Sequence, residues 1–116
     1  MAQYRNNEGV TLFEIGMYKA KEGNDKEANQ YYKSASVAYK TAIELDSTAA
    51  EYHYNLSKAL FAMSDIDEAI SECKTALLLN PDKVEYHSFY SYCLLQKRAY
   101  GEALSEAQKA LELATD

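Results

Sequence analysis

Residues 51–60 read EYHYNLSKAL and residues 85–94 read EYHSFYSYCL. Glu51-Tyr52-His53 and Glu85-Tyr86-His87 match outright at an offset of 34, and the agreement continues beyond them. Ser57 falls on Ser91, Leu60 on Leu94 and Leu56 on Tyr90. Further along, Ala69 meets Ala103, Ile70 meets Leu104, Ala76 meets Ala110 and Leu77 meets Leu111. Chance does not give so many agreements at one offset. A fixed period of this size marks stacked units, none of which buries its apolar face alone.

Each unit reads as two helices. His53, Leu56, Ser57 and Leu60 stand at i, i+3, i+4 and i+7, one face of a helix. Ser64-Asp65-Ile66-Asp67 breaks that pattern, and Glu68 follows Asp65 at the spacing of a capping box. The second helix carries Ala69, Cys73, Ala76 and Leu77 on one face. It stops at Asn80-Pro81, because the residue before a proline is biased away from helix. Thr48 with Glu51, and Asp82 with Glu85, also have capping-box spacing and are predicted to cap the first helices.

Composition agrees with closely packed helices. Leu, Ile, Val and Phe supply only 22 of the 116 residues, and the net charge is −6, a balance that on its own borders on disorder. Eleven Tyr and 17 Ala compensate, with four Gly and one Pro, a mix of small and large side chains that suits helices better than sheets. No apolar run reaches the roughly 20 residues of a membrane span, and no secretory pattern opens the chain. No patch of Lys and Arg is dense enough to neutralise several phosphates, so nucleic acid is not an expected partner. Cys73 and Cys93 sit inside apolar helical patterns without a CxxC spacing. They read as small buried side chains in a reducing cytoplasm.

The pattern resembles the tetratricopeptide repeat (TPR). Residues 50–83 meet it with His53 in the aromatic slot, Leu56-Ser57, Leu60, Ala69, Cys73, Ala76 and Pro81. Residues 84–116 meet it with His87, Tyr90-Ser91, Leu94, Ala103, Ala107 and Ala110, without the closing Pro. The resemblance implies an all-α, right-handed superhelix of three helix-turn-helix units, at about 9–49, 50–83 and 84–116, in a single domain.

The first unit departs in an informative way. Its first helix offers Leu12 and Ile15-Gly16, closed by Gly23-Asn24-Asp25. Ala28, Tyr32 and Ala35 match Ala69, Cys73 and Ala76 at an offset of 41, yet Ala35, Tyr39 and Ala42 match the same three at 34. Both registers hold if the second helix contains seven extra residues, since two turns take about 7.2 residues and the apolar face rotates by only about 20°. A second helix lengthened by about two turns, near Ala28 to Leu45, is therefore predicted.

No catalytic constellation is present: there is no Gly-rich phosphate loop, HExxH, nucleophile elbow or paired-Cys zinc motif. The chain is not expected to be an enzyme or to hold a cofactor or metal. His53 and His87 read as replacements for the family's packing aromatic.

In TPR proteins the first helices line a concave groove. The stripe beside the packing seam holds Phe13 and Met17 in unit one, Tyr54, Asn55, Lys58 and Phe61 in unit two, and Phe89 and Tyr92 in unit three. That is more aromatic surface than a solvated face should hold. It suits either packing between neighbouring first helices or a groove that takes a peptide or partner helix through apolar anchors. Asn55 is a candidate to bond a ligand backbone and Lys58 to meet a carboxylate. TPR domains that grip the C-terminal carboxylate of heat-shock chaperones use Lys, Asn and Arg at places filled here by Phe13, Met17, Asn55, Glu85 and Phe89. Only the Asn is present, so that clamp is not expected. The alternative expectation is self-assembly, a homo-oligomer formed through uncovered terminal helices, the C-terminal one in particular.

Overall fold

A computed structural model describes residues 1–115. Six helices follow one another: α1 (Ala2–Lys21), α2 (Asp25–Leu45), α3 (Ala50–Ala62), α4 (Ile66–Leu79), α5 (Val84–Gln96) and α6 (Tyr100–Thr115). There is no strand among the described residues, and none of the helices is long and apolar enough to cross a membrane. Each helix packs on its neighbours in the chain, so α1/α2, α3/α4 and α5/α6 form three hairpins stacked as a TPR solenoid.

The turn inside each hairpin is built the same way. Gly23, Ser64 and Arg98 adopt positive φ, at 82°, 65° and 61°. These three lie at the offsets of 41 and 34 already read from the sequence, so a left-handed residue marks the repeat. Glycine adopts that conformation without steric cost, whereas Ser64 and Arg98 hold it against their Cβ atoms.

The hairpins close on small residues. Ser57 Oγ donates to the Ala69 carbonyl at 2.5 Å and Ser91 Oγ to the Ala103 carbonyl at 2.7 Å. Ala28, Ala35, Ala42, Ala69, Ala76, Ala103 and Ala110 are all buried, against large neighbours such as Tyr32, Tyr39, Leu56, Leu60, Tyr90 and Leu94. Gly101, in the first turn of α6, has no neighbour within 4 Å of where a Cβ would stand. Gly101→Ala is therefore expected to stabilise the fold by about 0.5–1 kcal/mol through helix propensity alone, read as a higher urea midpoint with unchanged slope.

In the first hairpin α2 has 21 residues, seven more than the 14 of α4. The first helix is longer as well: α1 has 20 residues, seven more than the 13 of α3, and starts at Ala2, ahead of the unit boundary expected near residue 9. The two long helices pack closely on each other. Gly9 faces the Tyr39 ring and Gly16 faces the Tyr32 ring, two glycines seven apart against two tyrosines seven apart.

The capping expectation is corrected at several helix starts. The N-cap residues of α3 and α5 are Ala49 and Lys83, one position after Thr48 and Asp82, so the expected oxygens are out of register. Thr48 bonds to Asp46 instead, and Asp65, the N-cap of α4, makes no side-chain cap bond. A capping pair forms at Asn24, which accepts from the Glu27 amide at 3.3 Å and donates to the Glu27 carboxylate at 2.7 Å.

An aromatic face of the first helices as candidate interaction site

The inner stripe of α1, α3 and α5 brings most of the expected residues together. Aromatic contacts run from α3 to α5: Tyr54 meets Tyr86 at 4.5 Å and Phe89 at 5.7 Å between ring centroids, and Phe61 meets Phe89 at 5.5 Å and Tyr92 at 5.1 Å. Phe13 packs back on Tyr32 of its own hairpin at 5.4 Å. Tyr54, Phe61 and Phe89 are thus half-buried in mutual packing, while Tyr92 (51% exposed) and Met17 (43% exposed) stand open.

Lys58 occupies the middle of this face. Its Nζ lies 4.8 Å from the Tyr54 ring centre and 5.8 Å from that of Phe13. Partial burial pulls its ammonium below the usual lysine range, against the opposing pull of the Glu51 and Glu14 carboxylates. It forms no ion pair among the described residues, where the other pairs fall on Arg5, Lys19, Lys83, Lys97, Lys109 and the two histidines. Asn55 is different from the expectation. It is 6% exposed, and its amide donates to Asn6 Oδ1 at 2.9 Å, so its donor is already engaged by the extension of α1. Beside it Tyr52 donates to Gln3 at 3.2 Å.

Two cavities open on the face. One, of about 360 Å³, is lined by Glu51, Tyr54, Asn55, Lys58, Lys83, Glu85 and Tyr86. The other, of about 400 Å³, is lined by Tyr54, Val84, Glu85, Ser88, Phe89 and Tyr92. Tyr54 and Glu85 belong to both.

The histidines do more than fill an aromatic slot. His53 Nδ1 lies 2.8 Å from Glu72 Oε1, and its Nε2 lies 3.1 Å from the Ser47 carbonyl. His87 repeats this, with Glu106 at 2.8 Å and the Pro81 carbonyl at 2.6 Å. Each imidazole ties a helix start to the second helix of its own hairpin. The spacing could have shown it, since Glu72 and Glu106 each follow their histidine by 19 residues. Both cysteines are fully buried and free, and burial pushes each thiol up to about 12, which leaves almost no thiolate at neutral pH.

A TPR-repeat family model matches residues 23–64, and a tetratricopeptide-repeat family model matches residues 54–116. The chain belongs to the tetratricopeptide-repeat family, whose repeats are characteristically protein-interaction modules. No curated protein matches the sequence. Among solved structures it is similar to the first TPR of Spaghetti (RPAP3), bound to the HSP90 peptide SRMEEVD, with 22% identity, 96% of this chain and 82% of that one covered, and a TM-score of 0.71. It is similar to a D159K mutant of MamA at 23% identity and TM-score 0.80, covering 99% of this chain and 56% of that one. The type III secretion translocator chaperone SycD of Yersinia enterocolitica is similar at 21% identity and TM-score 0.71, with 95% and 78% covered. At these identities the likeness establishes the shared fold.

Proposed function

We propose that the concave face is a non-enzymatic docking groove for a peptide or partner helix, with Tyr92, Met17 and the exposed edges of Phe13, Tyr54, Phe61 and Phe89 as apolar anchors. The observation that carries this reading is Lys58, a half-buried ammonium over two aromatic rings with no ion-pair partner among the described residues. A half-buried cation that attracts Glu51 and Glu14 but has neither within ion-pair distance is suited to a carboxylate brought by a ligand. The Spaghetti neighbour, with its acidic peptide, supports the use of this fold for such ligands. Phe13, Met17, Glu85 and Phe89 stand where a chaperone clamp needs cations or amides, so a different peptide is proposed here.

Because Tyr54, Phe61 and Phe89 pack on one another, alanine at those places also disturbs the fold. Tyr92→Ser and Lys58→Gln are cleaner tests. Each is expected to weaken binding of a captured partner by about tenfold or more, the scale of interface hot spots. Leu78→Ser, at an 84% exposed position on α4, should leave it unchanged. Calorimetry that finds both groove variants at wild-type affinity removes the reading.

A second reading is favoured by α6. At the offset of 34, its Tyr100, Leu104, Ala107 and Leu111 match Ile66, Ile70, Cys73 and Leu77 of α4. Cys73 is fully buried, and Ile70 and Leu77 pack against the α5 side of the core, whereas Leu104 and Leu111 are 60% and 64% exposed. This face is proposed to associate with a second copy, a reading that a concentration-independent monomer mass in light scattering would remove.

A further inference from the structure

The two cavities of the groove differ in charge although they share Tyr54. In the 360 Å³ cavity the chain has laid its own cation, Lys58, over the Tyr54 ring. The 400 Å³ cavity has no ammonium or guanidinium in its lining. Its walls are the rings of Tyr54, Phe89 and Tyr92, with the Glu85 carboxylate beside them. Among the described residues Glu85 forms one ion pair, with Lys83 at 3.8 Å, and both side chains are about half or more exposed, at 61% and 48%. Such a pair is worth little and gives way readily to a better-placed cation.

From this arrangement we propose that the cavity seats an arginine side chain of the bound peptide, its guanidinium against the open Tyr92 ring and paired with Glu85. The inference rests on the groove reading above and makes it specific: an arginine in the Glu85 cavity next to an acidic residue at Lys58. The negative faces of aromatic rings attract cations, and the chain already uses the Tyr54 ring in that way with Lys58. A planar guanidinium stacks on a ring while forking to a carboxylate, and it sheds water more easily than an ammonium, which favours arginine over lysine. An apolar guest would strip water from Glu85 without replacing its hydrogen bonds, and an acidic guest would meet its charge. The net charge of −6 further attracts a basic segment.

The test is a displayed library of random dodecapeptides selected on the immobilised chain, with the selected sequences synthesised with both ends capped. The expected result is enrichment of arginine among peptides whose binding is lost with Tyr92→Ser. Glu85→Gln should then weaken an arginine peptide by about tenfold, yet leave the same peptide with Arg replaced by Gln unaffected. Glu102→Gln, which removes an exposed charge on α6, should leave both unaffected. Peptides that need Tyr92 but show no arginine preference, or an equal loss from Glu85→Gln and Glu102→Gln, overturn the arginine seat and leave the groove standing. A selection that yields no Tyr92-dependent peptide overturns both. Circular dichroism of each variant confirms that the fold is intact.

Discussion

His87→Ala is expected to lower the stability of the chain by about 3 kcal/mol, the low end of the cost of emptying the place of a buried aromatic ring. Pro81 presents a carbonyl oxygen, which only accepts, so Nε2 carries a proton there. At the other ring nitrogen, Nδ1 lies 2.8 Å from Glu106 Oε1. Removing the ring leaves a cavity and strips Glu106, 12% exposed at its side chain, of one of its two partners, with Lys109 remaining at 3.1 Å. His87→Phe, which restores the aromatic expected at this place, should recover packing without the bonds and fall between the two. His53→Ala should cost less, because Glu72 is 29% exposed and water can replace the imidazole. Urea denaturation of the four proteins checks the order. Acid gives a further readout. Burial raises the Glu106 carboxyl, but bonds from His87 and Lys109 and their charges outweigh this and hold it below its ordinary 4.5. Its contribution is therefore complete above pH 4.5 and is lost as pH falls through the lower folded value. In His87→Ala this acid-sensitive part should shrink.

Gly9→Val should have an effect of similar size, about 3 kcal/mol, at the upper end of what overpacking costs. A Cβ at Gly9 would stand 2.5 Å from Cε1 of Tyr39, and that ring is 2% exposed within the cluster of Ala35, Leu56, Ala59 and Leu60. The ring is enclosed by that cluster, so the clash falls on the contact between α1 and α2. Gly9→Ala should be milder, about 1–2 kcal/mol, because the gain in helix propensity offsets part of the clash. Tyr39→Ala on its own leaves a cavity and should cost about 3–5 kcal/mol. The double variant Gly9→Val with Tyr39→Ala should then lose clearly less than the sum, since each change relieves the other. Additive losses in denaturation would mean that the two residues do not meet.

These two sites also mark how far the sequence could be read. The repeat was legible because His53, Ser57, Leu60, Ala69 and Ala76 recur at one spacing and face one seam. The long α2 was legible from its two registers, since a heptad insertion preserves a packing stripe. The matching extension of α1 was not, because Ala2–Gly9 is polar and shows no stripe of its own. Its signal was Gly9 and Gly16, seven apart like Tyr32 and Tyr39. Missing that extension also hid the partner of Asn55, which Asn6 contacts from 49 residues away. Helix spacing placed Tyr92, Met17 and Lys58 on the inner face. It could not tell how far Tyr54, Phe61 and Phe89 turn toward each other, which depends on how closely α3 and α5 approach. The capping boxes at Thr48 and Asp82 failed for a local reason: each helix starts one residue later and leaves the capping oxygen out of register. Asp65, by contrast, stands at the N-cap of α4 and makes no cap bond.

Docking of a partner on the aromatic face is the proposal on which the Lys58 contact and the arginine seat both depend. Photo-crosslinking tests it most directly, with benzoylphenylalanine placed at Tyr92 on the inner face in one protein and at Leu78 of α4 in another, both exposed positions. The expected result is a discrete crosslinked partner from the Tyr92 position, suppressed by Lys58→Gln, and none from Leu78. A partner captured from Leu78 and not from Tyr92 would contradict it.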